Sequence, residues 1–335
     1  MICGLAIGHS VTAVLVHEER GVVARSSFEL PVGAIRAEVL ARSVMGALES
    51  LGDREHCRCA GVAFAPQDFV LADQLLRDGR FDPHLPLIGG LKISFSGSEI
   101  ESLLPIFAGG RNKAWLMLDD PVRLYAEQCE EGESIEVTDE KGKRRVMHHR
   151  MTPDILEPLR VLISRLGLVE SFDDIRDLAR IGKDSAGVRF ARRSRQPVAG
   201  EEGIASSRDD GFAIMGLKDG VRRPQVARAA LEAVGLEVRA ALADLAGEAV
   251  VEELYAVGSY ARSDELTGVI ADMMAAPVIR VAEQNAVAWG AAYLAARAES
   301  VMLLRPERHR SNPSMPAARR NEIFARWAVA RTRES

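Results

Sequence analysis

The chain is poor in aromatics, poor in cysteine and free of long apolar runs, and each shortage removes a class of protein. Phe, Trp and Tyr make up only 5% of its 335 residues, too few to build a surface that stacks nucleic-acid bases. Its four cysteines (Cys3, Cys57, Cys59 and Cys129) are irregularly spaced, and the single Cys57-x-Cys59 has no second pair. No disulfide framework can be drawn from them, and reduced thiols are expected. No apolar run approaches the ~20 residues of a membrane-spanning helix. Met1 to Val16 lacks a basic start and is interrupted by Gly8 and His9, unlike a secretory leader, so a cytoplasmic location is expected. Charge of one sign is missing too. The balance of 43 basic and 48 acidic residues gives −5, no field to draw in nucleic acid or an acidic membrane. What remains, 47% hydrophobic and 27% charged residues, suits a globular chain long enough for two domains.

The first 65 residues read as strand, turn, strand, turn, strand, helix, strand. Ile2–Ile7 is a nearly continuous apolar run closed by Gly8-His9-Ser10, and Thr12–Val16 alternates β-branched residues. Val22–Leu30 follows the charged tip His17–Gly21. Ile35, Val39, Leu40, Val44, Leu48 and Leu51 keep helical spacing, with Gly52 as the stop, and Ala60–Ala65 returns to strand. Residues 67–151 are the least regular, with a charged hairpin expected around Lys141-Gly142-Lys143. Met151–Leu168 and Phe172–Ile181 have helical spacing. Pro224 suits the first turn of a long helix, where its missing N–H costs nothing. Leu254–Val257 is a strand stopped by Gly258-Ser259, and Ser263 or Asp264 caps the helix beyond it. Pro277–Val281 is a strand, and Asn285 caps an alanine-rich helix to Ala298. After Arg305 the expectation is an irregular tail with one short helix, Asn321 to Ala330. No internal repeat of fixed period is visible.

Several stretches, taken in order, resemble the FGGY carbohydrate kinases of the actin/hexokinase ATPase superfamily. They are Arg228-Ala-Ala-Leu-Glu-Ala-Val, Leu254-Tyr-Ala-Val-Gly-Ser-Tyr-Ala-Arg-Ser, Val269-Ile-Ala-Asp-Met-Met, Pro277-Val and Ala288-Trp-Gly-Ala-Ala-Tyr-Leu-Ala-Ala. Upstream, Gly187-Val-Arg-Phe, Arg195-Gln-Pro197 and Gly211-Phe-Ala-Ile-Met-Gly-Leu217 match the segment before that helix. Gly4-Leu-Ala-Ile-Gly8-His9-Ser10 resembles the family's first phosphate hairpin, and Gly61-Val-Ala-Phe-Ala-Pro-Gln67 the strand and glutamine after the first helix. The resemblance implies an α/β fold of two actin-like (ribonuclease H-like) lobes with a cleft between them. Lobe boundaries of 1–113, reduced in size, and 114–335 follow, with the nucleotide motifs in 211–298. It also implies ATP and Mg²⁺ as cofactors and a sugar or polyol as substrate.

The site residues follow from the same alignment. Gly8, His9 and Ser10 sit where a glycine hairpin turns its N–H groups toward phosphate, although a plain β-turn has the same sequence. Gly258, Ser259 and Arg262 sit where the backbone passes an adenine, and Gln67 is a substrate contact. Two departures bear on chemistry. The family's metal-orienting aspartate is replaced by Ala6, whose methyl ligates nothing. Its general base aligns with Asn112, an amide that accepts no proton at neutral pH. Asp119 and Asp120 are the carboxylates nearest in sequence, and an acidic doublet of this kind reads more simply as a solvated turn. His148-His149, Asp173-Asp174 and the Arg192-Arg193-x-Arg195 run have equally plain readings, and Glu232 faces solvent or pairs with Arg228 four residues back. Two functions therefore stand side by side. One is a sugar or polyol kinase that binds nucleotide. The other is a pseudokinase that acts through a ligand or a protein partner, including a second copy of itself.

Overall fold

The computed structural model describes residues 1–8, 10–30, 37–52, 56–65, 92–107, 112–127, 133–139, 142–152, 154–192, 212–247 and 249–332. In chain order the first elements are β1 (Ile2–Ile7), β2 (Ser10–His17), β3 (Gly21–Glu29), α1 (Ala37–Glu49), β4 (Cys59–Phe64), β5 (Lys92–Ser98) and α2 (Glu99–Leu103). Next come β6 (Lys113–Met117), β7 (Val122–Ala126), β8 (Glu133–Thr138), β9 (Arg144–Thr152), α3 (Glu157–Arg160, running into a π turn) and α4 (Phe172–Ile181). The rest are β10 (Arg189–Arg192), β11 (Phe212–Met215), α5 (Arg223–Ala246), β12 (Glu253–Val257), α6 (Asp264–Met274), β13 (Val278–Val281), α7 (Ala286–Ala298), β14 (Arg308–Ser311) and α8 (Ala317–Thr332).

The chain forms two compact units, and a single cut at residue 113 does not describe them. One unit holds Met1–Arg111, Ser134–Met147 and Val281–Arg308; the other holds Asn112–Glu133, His148–Arg280 and His309–Ser335. The reason lies in the first unit's sheet, ordered β3-β2-β1-β4-β5. Side chains alternate across a strand, so Cys3, Leu5 and Ile7 pack with Leu40, Val44 and Leu48 of α1 on one face. The other face is covered by α7. Gly4 and Gly61 are register partners on β1 and β4, and a Cβ on Gly4 would lie 1.9 Å from the Ala288 carbonyl oxygen. On Gly61 it would lie 1.9 Å from that of Ala291, and on Gly290, within α7, 1.9 Å from the Ser102 oxygen. The helix backbone therefore rests directly on the strands. Residues 134–147 join this unit as well, where Thr138 N–H donates to Glu101 Oε1 at 3.2 Å.

In the second sheet the order is β14-β13-β12-β6-β7-β9-β8. Its stretch β9-β7-β6-β12-β13 repeats the order of the first sheet, with β6 antiparallel to β7 and parallel to β12, as β1 is to β2 and β4. The chain thus carries a repeat of topology that has no sequence period. Around it α5, α6 and α8 share one core, in which Trp327 of α8 is 2% exposed. Asp272 ties the C-terminal segment to α6 by accepting from the N–H groups of Ser314 and Met315.

Local signals placed most elements, and four readings need correction. Met151 and Thr152 end β9 rather than begin a helix, because they pair with Arg123 and Val122 of β7. The interval 67–151 contains the regular pair β6–β7. The tail is not irregular: Arg308–Ser311 is a strand and α8 runs for 16 residues. Asn285 precedes α7 without a side-chain cap, whereas Ser263 does cap α6 by accepting from Leu266 N–H at 3.1 Å. Two glycines test the packing argument. Gly61→Ala should destabilise the protein by about 1–3 kcal/mol through overpacking against backbone that cannot yield. Gly268→Ala, in α6 with nothing within 4 Å of the new Cβ, should stabilise it by about 0.5–1 kcal/mol. Urea unfolding of both variants decides it, and a neutral Gly61→Ala would refute the close approach.

Candidate functional site

In open parallel sheets ligands gather outside the carboxyl ends of the strands, and in the second unit that end is built by β6 and β12. After β6 the chain turns at Asp119-Asp120-Pro121, with a cis peptide before the proline. After β12 it turns at Gly258, whose φ of +102° suits glycine. A Cβ there would lie 2.8 Å from the Leu118 oxygen and 2.7 Å from Asp119 Oδ2. The two turns are tied together. Asp119 Oδ1 accepts from Ser259 N–H at 2.8 Å and from Ser259 Oγ at 2.9 Å, and Tyr260 N–H donates to the Leu118 carbonyl at 3.2 Å. Arg262 folds back to donate from Nε to the Ser259 carbonyl at 3.1 Å.

Neighbouring groups complete this end of the unit. Asp120 pairs with Arg160 at 2.6 Å, and Arg160 also reaches Glu157 at 3.2 Å. Tyr260 packs edge-on against Phe172 at 4.9 Å between ring centres. Burial, with the nearby Asp120 charge, raises its phenol above the usual tyrosine range. Arg160, Glu157 and Tyr260 were not singled out from sequence, and no local motif marks the two from α3.

The other expected residues are placed as follows. Asn112 stands at the opposite, amino end of β6, seven residues before Asp119, a separation of roughly 20 Å at strand rise. There its Nδ2 donates to Glu252 Oε1 at 2.8 Å and its carbonyl accepts from Glu252 N–H at 2.7 Å. It therefore closes a strand start and does not join the Gly258 turn. In the first unit, Gly8 N–H already donates to the Ser10 carbonyl at 3.0 Å, and a Cβ on Gly8 would make an ordinary 3.4 Å contact with Ala65. At Gly8 itself there is neither a free amide nor a positive φ. Ala6 pairs with Thr12 and Ala63 and shares the α7-facing side of β1 with Gly4. His9 and Gln67, together with Arg195 and Pro197, lie outside the described residues.

The donor set does not suit a magnesium ion. At the β6–β12 junction one oxygen of Asp119 is committed to Ser259 and Asp120 is held by Arg160; in the first unit Ala6 offers only a methyl. Among the described residues no group of three or more His, Cys, Asp or Glu is arranged to hold a metal. Nor is any helix among them long and apolar enough to cross a membrane. What the arrangement does provide is a rigid junction of two strand ends, carrying a carboxylate, a hydroxyl and an aromatic ring.

Comparison with known proteins agrees with this framework. The profile of the FGGY family of carbohydrate kinases, C-terminal domain, matches residues 204–299, a span that includes the Gly258 turn and α7. A glycerol kinase from Dechloromonas aromatica (strain RCB) is 36% identical over 176 residues, covering 48% of this chain and 33% of that protein. A second, from Alkalilimnicola ehrlichii, is 34% identical over 170 residues, covering 49% and 33%. The chain thus spans about a third of the length of the curated relatives it matches. Among solved structures, Plasmodium falciparum glycerol kinase with ADP superposes with a TM-score of 0.68 at 11% identity, over 100% of this chain and 98% of that one. Ligand-bound xylulose kinase from Lactobacillus acidophilus gives 0.67 at 12% identity, over 99% and 97%. Those likenesses establish the fold, an α/β architecture of the actin-like sugar-kinase type with two sheets of matching strand order. Residues 204–299 thus match the C-terminal domain of the FGGY family of carbohydrate kinases, and the chain shares the two-sheet fold of solved sugar kinases.

Proposed function

We propose that this chain is an FGGY-type kinase homologue in which phosphoryl transfer is absent or slow, and which acts as a ligand-binding or protein-interaction scaffold. The observation that carries the reading is the Asp119–Ser259 contact. The N–H and hydroxyl of the turn expected to meet a nucleotide are engaged by the chain's own carboxylate. A nucleotide base brought to that turn would find the Ser259 N–H and hydroxyl already engaged and a carboxylate beside them. Phosphoryl transfer relies on positioning and on metal neutralisation of the phosphates, and Ala6 supplies nothing for either. The amide of Asn112, at the far end of β6, supports the same view.

One observation favours the competing reading, a working sugar or polyol kinase using ATP and Mg²⁺. Asp119 is a carboxylate at the carboxyl ends of the strands, and a base could act from there. Turnover separates the two. Purified protein with Mg²⁺–ATP and a panel of sugars and polyols should show no phosphorylation approaching 1 s⁻¹, an ordinary enzymatic rate. A rate of about 1 s⁻¹ or more that Asp119→Ala abolishes would overturn the proposal and assign the base.

Nucleotide binding is tested separately. Asp119→Ala should cost about 1–2 kcal/mol of stability, the loss of charge-assisted bonds at a partly exposed junction. The same change frees Ser259 N–H, so millimolar ADP should raise the melting temperature of the variant more than that of the wild type. A ligand at 100 times its Kd adds about 2.7 kcal/mol, easily seen in a melt. A wild-type shift that Asp119→Ala diminishes would show the carboxylate helping the nucleotide rather than excluding it.

A further inference from the structure

Away from the Gly258 turn, the second unit contains a hollow between α5, β10 and α8. It encloses about 410 Å³ counted out to its open mouth, and its walls include Phe190, Leu236, Ile323 and Trp327. Ala229 and Ala233, one helical turn apart on α5, leave the room that longer side chains would fill. On the same face of α5 stands Glu232, only 5% exposed and, by the second of its two expected readings, paired with Arg228. Burial raises its carboxyl above the ordinary glutamate range, against opposing contacts from Ser185 and Arg228. An apolar wall with a few convergent polar groups, here Ser185, Arg189, Glu232 and Arg326, is the usual form of a small-molecule site, and nothing in the phosphotransfer reading uses this one.

We propose that this hollow binds a small, uncharged molecule with a compact apolar body and a hydroxyl group, an alcohol or short diol, through Glu232. The charge arrangement selects the class. An ionised carboxylate only accepts hydrogen bonds and has about four acceptor positions. Arg228 Nε, at 3.3 Å, and the Ser185 hydroxyl occupy two of them. The remaining positions call for a donor. An anionic ligand could reach Arg326 and Arg189, whose buried Nε has no hydrogen-bond partner, but would set its charge against the buried Glu232. A cationic ligand would face Arg228 behind the carboxylate and Arg326 at the mouth. A hydroxyl donates without a charge, while Phe190, Ile323 and Trp327 receive the hydrocarbon part. Because the hollow is open and shallow, about five heavy atoms at millimolar affinity is the expected scale.

Three probes with one carbon skeleton test this: isobutanol, isobutyrate and isobutylamine, each titrated into the full chain and followed by tryptophan fluorescence. Trp327 lines the hollow, whereas Trp115 and Trp289 are buried away from it. Isobutanol should give a saturable change at millimolar concentration, at least tenfold tighter than either charged probe. Ala233→Leu should weaken it tenfold or more by filling the hollow. Glu232→Gln, which keeps size and removes the charge, should weaken it about fivefold and serves if the leucine variant fails to fold. The proposal is overturned if no probe saturates, if a charged probe binds as tightly as the alcohol, or if Glu232→Gln leaves alcohol binding unchanged. None of these readouts involves ATP or the Gly258 turn, so the result stands apart from the outcome of the kinase assays.

Discussion

The structure depends most on a contact made by atoms that are missing. At Gly4, Gly61 and Gly290 there is no Cβ, and the α7 backbone lies against β1, β4 and α2 at distances any side chain would forbid. Alanines fill the rest of that interface: Ala288, Ala291, Ala292, Ala295 and Ala296 are all fully buried. Such packing gains dispersion contacts over a flat surface rather than from interlocked large groups. It also tolerates little change, since no rotamer can shift to relieve a clash with a carbonyl oxygen. That contact makes residues 281–308 part of the first unit although they follow the second in sequence.

Polar contacts in the second unit work the other way, by joining strand ends with a few strong bonds. Asp119 joins β6 to β12 through Ser259, Asn112 joins the same two strands at the other end through Glu252, and Asp272 holds the segment leading into α8. Two of these carboxylates, Asp119 and Asp272, are thereby directed at the protein's own backbone. The fold and the FGGY-like C-terminal segment are present together with carboxylates used to join strand ends. Fold alone does not assign an activity.

What could be read from the sequence was local. The apolar run Ile2–Ile7, Pro224 in the first turn of α5 and Ser263 as the cap of α6 all depend on residues within four positions of each other. The order of motifs from Arg228 to Ala296 was readable too, because the family preserves its spacing. The Asp119–Ser259 contact spans 140 residues and leaves no periodic trace, so the doublet passed for a solvated turn. Gly8 needs no special backbone, its φ not being positive, in keeping with the plain β-turn that the same sequence allowed. β14 was hidden by its charge, Arg308-His309-Arg310-Ser311 carrying no apolar alternation on an edge strand. The match of Asn112 to a catalytic base was a statement about sequence alone; in the fold the residue closes the start of β6 against Glu252.

The late position of α7 has a consequence for biosynthesis. A ribosome delivers β1 through β5 long before residues 286–298, so the glycine face of the first sheet leaves the exit tunnel with nothing to cover it. Domains that fold as contiguous units can complete themselves one after another during translation; this chain cannot. Its N-terminal sheet must wait through the synthesis of nearly the whole second unit, with bare backbone at Gly4 and Gly61 accessible to any passing helix. The order of assembly is therefore partly inverted relative to the order of synthesis, and the nascent chain is most exposed to mispairing or chaperone capture on the face that becomes the most tightly packed.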